Sequence, residues 1–245
     1  IKKLLMINKN KVYKSDEILK FYAVNRNKWK DFYKSEKEII NKLKIKKNSS
    51  ILDIGSACGG LGVVLNKRYG VEDYVGIEIN KDAHNYAKNK YKNFNFINSD
   101  LLNYEKNKTK YSEFKYVFSL GCVDWNFEID KMLKKAWKHV QKKGYLIITL
   151  RLTNIQKIKK SFQYINFSEK MRGEKATYQI VNMNTLLKKL SKLNISKILH
   201  YGYWGRPNKT VVTDHKKIFF VAMALKKNKT KKNIVNLEKL RKIIN

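Results

Sequence analysis

Short apolar runs alternate with amphipathic stretches through residues 50–150 of this sequence. Five runs have the length and composition of buried strands, and helical patterns follow the first, second and fourth of them. The runs are SILDIG (50–55), DYVGIEI (73–79), FNFINSD (94–100), YVFSLG (116–121) and GYLIITL (144–150). Strands joined through helices pair in parallel and need cover on both faces. The pattern therefore predicts an α/β fold with a doubly wound, mostly parallel sheet and helices on both faces.

Two further strands are expected after this alternation ends. Residues 151–182 are polar and aromatic, and a loop of that length predicts a functional insert. A helix is expected at about 184–193, and strand-like runs follow at 195–204 and 217–225 with no helix between them. Such neighbours can pair antiparallel. The sequence thus predicts a seven-stranded sheet with an antiparallel strand pair at its C-terminal end.

The two ends of the chain differ from this middle part. The stretch SDEILKFYAV begins like a helix capped by Ser15, and apolar residues recur at helical spacing over 27–44. We interpret residues 1–47 as an N-terminal helical lid and 48–225 as the main domain. A lysine run followed by a short helical pattern makes 226–245 a basic tail.

Basic residues outnumber acidic ones by 54 to 20, which gives a formal net charge of +34. Such a surface attracts phosphate backbones, but only six of the 54 are arginine, which is better suited to bidentate phosphate contacts. The lysine-rich composition is typical of an AT-rich genome, so nucleic acid is the lesser expectation. No apolar run reaches the length of a membrane span, and we expect no signal peptide. The two cysteines lack metal-ligand spacing and do not suggest a disulfide framework, so a reducing cytoplasm is expected.

The stretch ILDIGSACGG (51–60) places an acid two residues before a small-residue turn. Gly55, Ala57 and Gly60 nearly satisfy the dinucleotide pattern G-x-G-x-x-G. The methyl group of Ala57 would obstruct a diphosphate, however, and Asp53 would add negative charge beside it. A nucleoside that carries a cationic centre suits this turn better.

Several segments, in order, resemble the motifs of class I S-adenosylmethionine-dependent methyltransferases. The segments are LDIGSACG, VGIEIN, NSDLL, VFSLGCVDW and KKGYLIIT, the last with Tyr145 where the family usually has a second glycine. The resemblance covers residues 50–150. It implies that 48–225 is a methyltransferase domain with S-adenosylmethionine as its cofactor.

The resemblance also implies a cofactor site. Backbone N–H groups of Ser56–Gly59 would receive the methionine carboxylate, and Glu78 would accept hydrogen bonds from both ribose hydroxyls. Asp100 would accept from the adenine amino group, although it could equally cap a helix, and Asp53 would lie near the amino group and sulfonium. The full expected set is Asp53, Gly55, Ser56, Ala57, Gly59, Glu78, Ile79, Asp100, Leu101, Leu120 and Gly121.

Catalytic and substrate-binding candidates lie further along the chain. Asp124, beyond the fourth strand, is the first candidate for a general base and His200 the second, with an N-cap as the alternative role of Asp124. Arg151 opens the insert, where it would either clamp an anionic acceptor or pair with an acid and anchor the loop. The expected substrate-binding residues are Arg151, Tyr164, Tyr178, Tyr203 and Trp204. No metal is expected.

The sequence lacks the motifs of two nucleic-acid methylating classes. Neither Asp/Asn-Pro-Pro-aromatic nor a Pro-Cys nucleophile is present in GCVDWN (121–126). We therefore expect O-methylation of a small polar or anionic metabolite, such as a sugar, a nucleotide-linked compound or a phosphorylated compound, with surface-polysaccharide modification as one setting. Methylation of RNA or other nucleic acid is one alternative. A non-catalytic module that binds an adenosyl ligand is the other.

Overall fold

A computed structural model describes residues 16–105, 112–126, 128–156, 160–166, 170–230 and 232–244. The predicted cap at Ser15 lies outside these residues. The strands are β1 (Ile51–Ile54), β2 (Tyr74–Glu78), β3 (Asn95–Asn98), β4 (Phe114–Ser119), β5 (Val140–Thr153), β6 (Phe162–Ile165), β7 (Glu174–Thr177), β8 (Val181–Asn182), β9 (Ile195–Gly205), β10 (Val211–Val212) and β11 (Ile218–Lys227). The helices are α1 (Asp16–Val24), α2 (Lys34–Lys42), α3 (Gly60–Tyr69), α4 (Lys81–Lys90), α5 (Ile129–Lys138), α6 (Met183–Leu190) and α7 (Glu238–Arg241).

The main sheet has the order β3-β2-β1-β4-β5-β11-β9, and the two-residue β8 also pairs with β5. Strands β1 to β5 pair in parallel, while β11 lies antiparallel between β5 and β9. The predicted fold is thereby confirmed, including the antiparallel pair. Strand order reverses between β1 and β4, and ligands of open α/β sheets bind at the carboxyl ends of the strands around such a switch point.

Both faces of the sheet are covered, which explains why the central strands are mostly apolar. All residues of β1 and β2 are buried. The larger core cluster contains Leu133 of α5 and Leu187 of α6, and a second cluster contains Ile40 of α2 and Leu65 of α3. Helices on two faces are the arrangement that parallel sheets require.

The helix expected over 27–44 is shorter than its apolar spacing indicated. A short 3₁₀ helix spans Trp29–Asp31, and α2 begins only at Lys34. Phe32 and Tyr33 between them are extended, with ψ values of 143° and 151°. The carboxylate of Glu36 accepts a hydrogen bond from the Tyr33 N–H at 3.0 Å, which starts a new helix there.

The insert expected as irregular chain instead contains strands. β5 continues to Thr153, and β6 and β7 form an antiparallel hairpin that β10 extends to a three-stranded sheet. The lysine-rich tail packs on the main domain, because Leu240 and Ile244 are buried in the larger core cluster. Apolar residues dispersed among lysines concealed this contact in the sequence.

Candidate active site

The glycine-rich turn after β1 has an unusual backbone that brings several chain segments together. Gly55, Ala57 and Gly59 all have positive φ, at 74°, 46° and 80°, and such values are uncommon for a residue with a side chain. A Cβ on Gly60 would lie 2.4 Å from the carbonyl oxygen of Arg26. The glycine therefore permits the segment after α1 to contact the turn directly.

Glu78 at the end of β2 supports this turn. Its Oε2 accepts a hydrogen bond from the Ala57 N–H at 2.8 Å, and its Oε1 accepts from the Asn80 N–H at 2.7 Å. The side chain is buried, and burial raises its pKa, although these backbone hydrogen bonds act in the opposite direction. Each carboxylate oxygen can accept a second hydrogen bond, so this arrangement remains compatible with the predicted binding of two ribose hydroxyls. The next residue, Ile79, accepts a hydrogen bond at its carbonyl from Asn98 Nδ2 at 3.2 Å.

Asp53 lies beneath the turn. Its side chain is buried, and its Oδ2 accepts a hydrogen bond from the Tyr74 hydroxyl at 2.5 Å. Burial raises the pKa of Asp53 to about 7, against the opposing effects of the Tyr74 hydrogen bond and the Arg26 charge. This carboxylate is costly to ionise in the dry interior, and a cation beside it would favour the charged form.

Asp100 and Leu101 follow β3. The Oδ1 of Asp100 accepts from the Leu102 N–H at 2.9 Å and caps a 3₁₀ helix over Leu101–Asn103. Leu101 is buried in the larger core cluster. The capping role that the sequence offered as an alternative is thus present, and the adenine contact of Asp100 stays a prediction.

Leu120 and Gly121 follow β4 at the same edge of the sheet. The Gly121 N–H donates to the Thr149 hydroxyl at 2.7 Å, and its φ of 64° is again left-handed. A Cβ on Gly121 would meet Arg26 Nη1 at 3.7 Å. The carboxyl ends of β1, β2, β3 and β4 therefore carry every residue of the predicted cofactor set.

Sequence reasoning missed Arg26 and Glu36. The Arg26 Nη2 lies 2.5 Å from Glu36 Oε1, with the two side chains 31% and 1% exposed. The Arg26 guanidinium also lies 4.9 Å from the centre of the Phe32 ring. One signal could have identified the pair, because arginine is rare in this chain and Glu36 lies among apolar residues at helical spacing.

Arg151 and Asp124 form a buried ion pair. Arg151 Nη2 lies 2.9 Å from Asp124 Oδ2, and Arg151 Nη1 donates to the Asp124 carbonyl at 3.1 Å. Burial raises the pKa of Asp124, and the Arg151 charge opposes that shift. The guanidinium is 3.7 Å from the centre of the Tyr178 ring and 4.6 Å from that of Trp125. This is the pairing with an acid that the sequence offered as the alternative to a substrate clamp.

Two buried polar atoms at this edge lack a hydrogen-bond partner among the described residues. They are the Ser56 hydroxyl and Asp124 Oδ1. Buried polar atoms are nearly always hydrogen-bonded in folded proteins. The Ser56 hydroxyl packs against β2, because a Cβ on Gly76 would lie 2.7 Å from its oxygen. Asp124 Oδ1 is thus the atom whose remaining partner would come from a ligand, and S-adenosylmethionine fits the backbone N–H groups and carboxylates along this edge.

The remaining candidates are spread more widely. Tyr203 stacks on Phe220 at 5.7 Å, and Trp204 packs edge-on against Phe219 at 5.6 Å. Tyr164 lies in the small sheet, where its ring packs against Phe162 at 5.6 Å.

His200 lies on β9, where it pairs with Met223 of β11. In the sheet order, β9 is three strands from β4. That corresponds to roughly 14 Å at the usual strand spacing. Burial and the charge of Lys42 lower its pKa. The structure does not bring His200 beside the glycine-rich turn, because its strand lies near the far edge of the sheet.

Comparisons with known proteins identify the class. The profile of a family described as a methyltransferase domain matches residues 45–236. The chain belongs to this family, and the predicted class I S-adenosylmethionine-dependent methyltransferase is confirmed. No curated protein matches the sequence.

Solved structures of low sequence identity share the fold. Phosphoethanolamine N-methyltransferase 2 from Haemonchus contortus, in complex with phosphomonomethylethanolamine and S-adenosylhomocysteine, is 15% identical with a TM-score of 0.56. The match covers 78% of this chain and 52% of that one, so the chain spans about half the length of that enzyme. The YcgJ protein from Bacillus subtilis is 10% identical over 79% of this chain and 97% of its own, with a TM-score of 0.56. A putative methyltransferase from Bacillus halodurans is 12% identical over 78% of this chain and 97% of its own, with a TM-score of 0.54.

The described residues contain neither a membrane-spanning helix nor a cluster of metal ligands. None of the helices in that part of the chain is long and apolar enough to cross a membrane. Within the same residues, no group of three or more His, Cys, Asp or Glu side chains is placed to hold a metal ion. Metal-independent transfer stays a prediction.

Proposed function

We propose that this enzyme transfers a methyl group to a hydroxyl of a small polar or anionic metabolite, held between the segment before β1 and the carboxyl edge of the sheet. One observation carries the proposal: Arg26 of that segment contacts the glycine-rich turn at Gly60 and approaches Gly121 after β4. Acceptor and cofactor would then share one enclosed edge. S-adenosylmethionine, when bound, supplies a methyl group on a sulfonium, which is already a good leaving group.

The cofactor contacts that we propose follow the turn and the strand ends. Backbone N–H groups of residues 56–59 face the methionine part, and Glu78 accepts hydrogen bonds from the ribose. Arg26 is added to this set as the partner of the methionine carboxylate. Support comes from its position: Nη2 is bonded to Glu36, whereas Nη1 has no hydrogen-bond partner among the described residues and is the group nearest Gly121.

The acceptor would lie where aromatic side chains remain accessible. Tyr33 and Tyr203 are 62% and 39% exposed, and Trp204 is 45% exposed. The Lys34 ammonium lies 5.8 Å from the centre of the Tyr201 ring, so the lid segment and β9 face each other. Exposed aromatic faces beside charged groups suit a sugar or a nucleotide-linked compound.

Asp124 is the group that we propose to receive the proton of the acceptor hydroxyl. Its Oδ2 is fixed by Arg151 at 2.9 Å, and its buried Oδ1 lacks a partner in the described part of the chain. Because the ion pair with Arg151 fixes Oδ2, it also fixes the direction in which Oδ1 can accept a proton. Arg151 is then a positioning residue, rather than the clamp on an anionic acceptor that its place in the sequence indicated.

Transfer of radiolabel from S-adenosylmethionine into a size-fractionated extract tests the proposal. We expect label in the low-molecular-mass fraction, resistant to ribonuclease and protease. Label that ribonuclease releases from a macromolecular fraction would favour an RNA methyltransferase. Bound cofactor with no transfer to any fraction would favour a non-catalytic module, and either result would overturn the proposal.

A further inference from the structure

A second cleft lies at the opposite edge of the sheet, at the amino ends of β1 and β4. It has a volume of about 420 Å³, which falls in the range of ligand sites. Its lining residues are Lys44, Lys46, Asn48, Ser49, Ser50, Lys115, Tyr116 and Gln141. Three of them carry a positive charge, and no carboxylate is among the described residues that line it.

The floor of this amino-edge cleft offers hydroxyl protons. Ser49 Oγ accepts from the Lys46 N–H at 3.1 Å, and Ser50 Oγ accepts from the Lys115 N–H at 3.0 Å. Within the described residues, neither hydroxyl donates to a protein acceptor, although both residues are buried. A hydroxyl that already accepts a hydrogen bond keeps its own proton for another partner. The cleft thus presents donors to whatever enters it.

The charge around this cleft extends along its rim. Lys115 Nζ donates to the Lys143 carbonyl at 3.4 Å. The pKa of Lys143 is lowered, and the largest cause is the neighbouring Lys229. The positive charges of Lys226 and Lys115 lower it further. Lysines crowded in this way repel one another, and an anion of several charges relieves that repulsion. The nearby Lys47, by contrast, is paired with Glu72 at 3.0 Å.

We propose that the amino-edge cleft binds a ligand with two or more phosphate charges, at a site separate from methyl transfer. Lysine ammonium groups and serine hydroxyls are both donors to phosphate oxygens. The same chemistry is offered by a free oligophosphate compound and by the phosphates of an RNA backbone. The cleft does not depend on the proposed acceptor, because the glycine-rich turn lies at the other end of the strands.

Calorimetric titration with inorganic tripolyphosphate at about 0.15 M salt tests the site, since exposed charges are then largely screened. The variant K44Q/K46Q/K115Q removes the three lysines of the cleft. The matched control K88Q/K134Q/K188Q removes the same charge from exposed positions on α4, α5 and α6. We expect the cleft variant to lose about tenfold or more in affinity and the control to stay within about threefold of the wild type. Equal losses in both variants, or no binding by the wild type, would overturn the proposal.

Further measurements distinguish loss of the site from a folding defect, and an RNA ligand from a free oligophosphate. Ser50→Ala leaves the net charge unchanged and is expected to weaken tripolyphosphate binding. If folded Ser50→Ala and K44Q/K46Q/K115Q both bind tripolyphosphate as the wild type does, the site is contradicted. A short oligoadenylate that needs the same three lysines would identify an RNA backbone as the source, whereas binding of tripolyphosphate alone would identify a free oligophosphate. Stabilisation by S-adenosylhomocysteine should be equal in wild type and cleft variant, so failure here is distinguishable from failure of the proposed function.

Discussion

Arg151 Nη2 lies 2.9 Å from Asp124 Oδ2, and the two side chains are only 6% and 4% exposed. Removing one partner of such a pair leaves a buried charge without compensation, which costs about 3–5 kcal/mol. Arg151→Lys cannot reproduce the contacts with the Asp124 carbonyl and carboxylate together. We expect its melting temperature to fall by roughly 2–4 °C for each kcal/mol lost, measured by thermal denaturation beside the exposed control Arg172→Lys. An unchanged melting temperature with a raised acceptor KM would instead restore the substrate clamp.

Asp124→Asn tests the proton acceptor. The variant keeps the shape of the side chain but cannot accept a proton at neutral pH, so we expect kcat to fall by about 10²–10⁴-fold. It also removes the negative charge of the ion pair, and Arg151→Lys serves as the control for loss of the native pairing. Both are assayed well below their melting temperatures. Equal kcat values in the two variants would assign Asp124 to structure alone.

Binding of the cofactor is tested by thermal stabilisation. S-adenosylhomocysteine and sinefungin should raise the melting temperature, because a ligand that binds only the native state stabilises it by mass action. NAD and FAD should not, since Ala57 occupies the position where a diphosphate would need a glycine. A shift with NAD and none with the adenosyl ligands would contradict the site described for the turn.

The motifs sufficed to predict the parallel sheet and the strand ends that meet at its carboxyl edge, because each lies within one strand and the turn after it. Asp53 and Glu78 are placed by β1 and β2 alone, so their neighbourhood follows from the strand order. Arg26 reaches the same edge through a contact of its carbonyl with Gly60. That contact joins segments more than thirty residues apart and has no local pattern, which is why the sequence did not identify it.

The insert shows the same limit. β6 and β7 are four residues each, too short for a periodic signal, and β10 pairs with β6 from a distant part of the chain. The contacts of the lid and the tail depend on a few apolar side chains. Leu240 is one of them, and basic residues surround it in the sequence. The role of Arg151 was open because its acid partner, Asp124, comes from another strand end.

Glu78→Gln tests the ribose contact. The amide can accept at one oxygen only, so one charged hydrogen bond of about 1.5–3 kcal/mol is lost. We expect the Kd for S-adenosylhomocysteine to rise roughly tenfold to hundredfold, measured by calorimetry. Because Glu78 also holds the Ala57 N–H, the melting temperature without ligand is measured in parallel. Unchanged affinity would remove Glu78 from the site.

Arg26→Ala tests the carboxylate contact. S-adenosylhomocysteine carries the methionine carboxylate, and 5′-methylthioadenosine lacks it. We expect the Kd of the first to rise roughly tenfold or more and that of the second to stay unchanged. Arg68→Ala is the matched control, because its guanidinium packs on the Trp29 ring at 4.1 Å and supports the same segment without facing the turn. Equal weakening of both ligands would indicate that Arg26 only holds the lid in place.

The raised pKa of Asp53 makes a prediction about pH. Burial shifts the pKa from 3.8 to about 7, so between these values the folded protein holds a proton that the unfolded chain has lost. Folding then takes up a proton, and the contribution of Asp53 to stability falls as pH rises through that window and is constant above it. Asp53→Asn does not titrate and can still accept from the Tyr74 hydroxyl. We expect the variant to gain stability relative to the wild type from pH 4 to pH 7, by urea denaturation at several pH values.

The same carboxylate should make cofactor affinity depend on pH. An ionised Asp53 favours the cationic sulfonium of S-adenosylmethionine over the neutral sulfur of S-adenosylhomocysteine. The affinity ratio of the two ligands should therefore rise in the wild type as pH passes through about 7, and it should stay flat in Asp53→Asn. Titration of Glu78 and of the ligand amino groups affects both proteins alike, so the comparison with Asp53→Asn isolates the effect of Asp53. A ratio that rises equally in both proteins would place the responsible charge elsewhere, with Asp124 as the next residue to substitute.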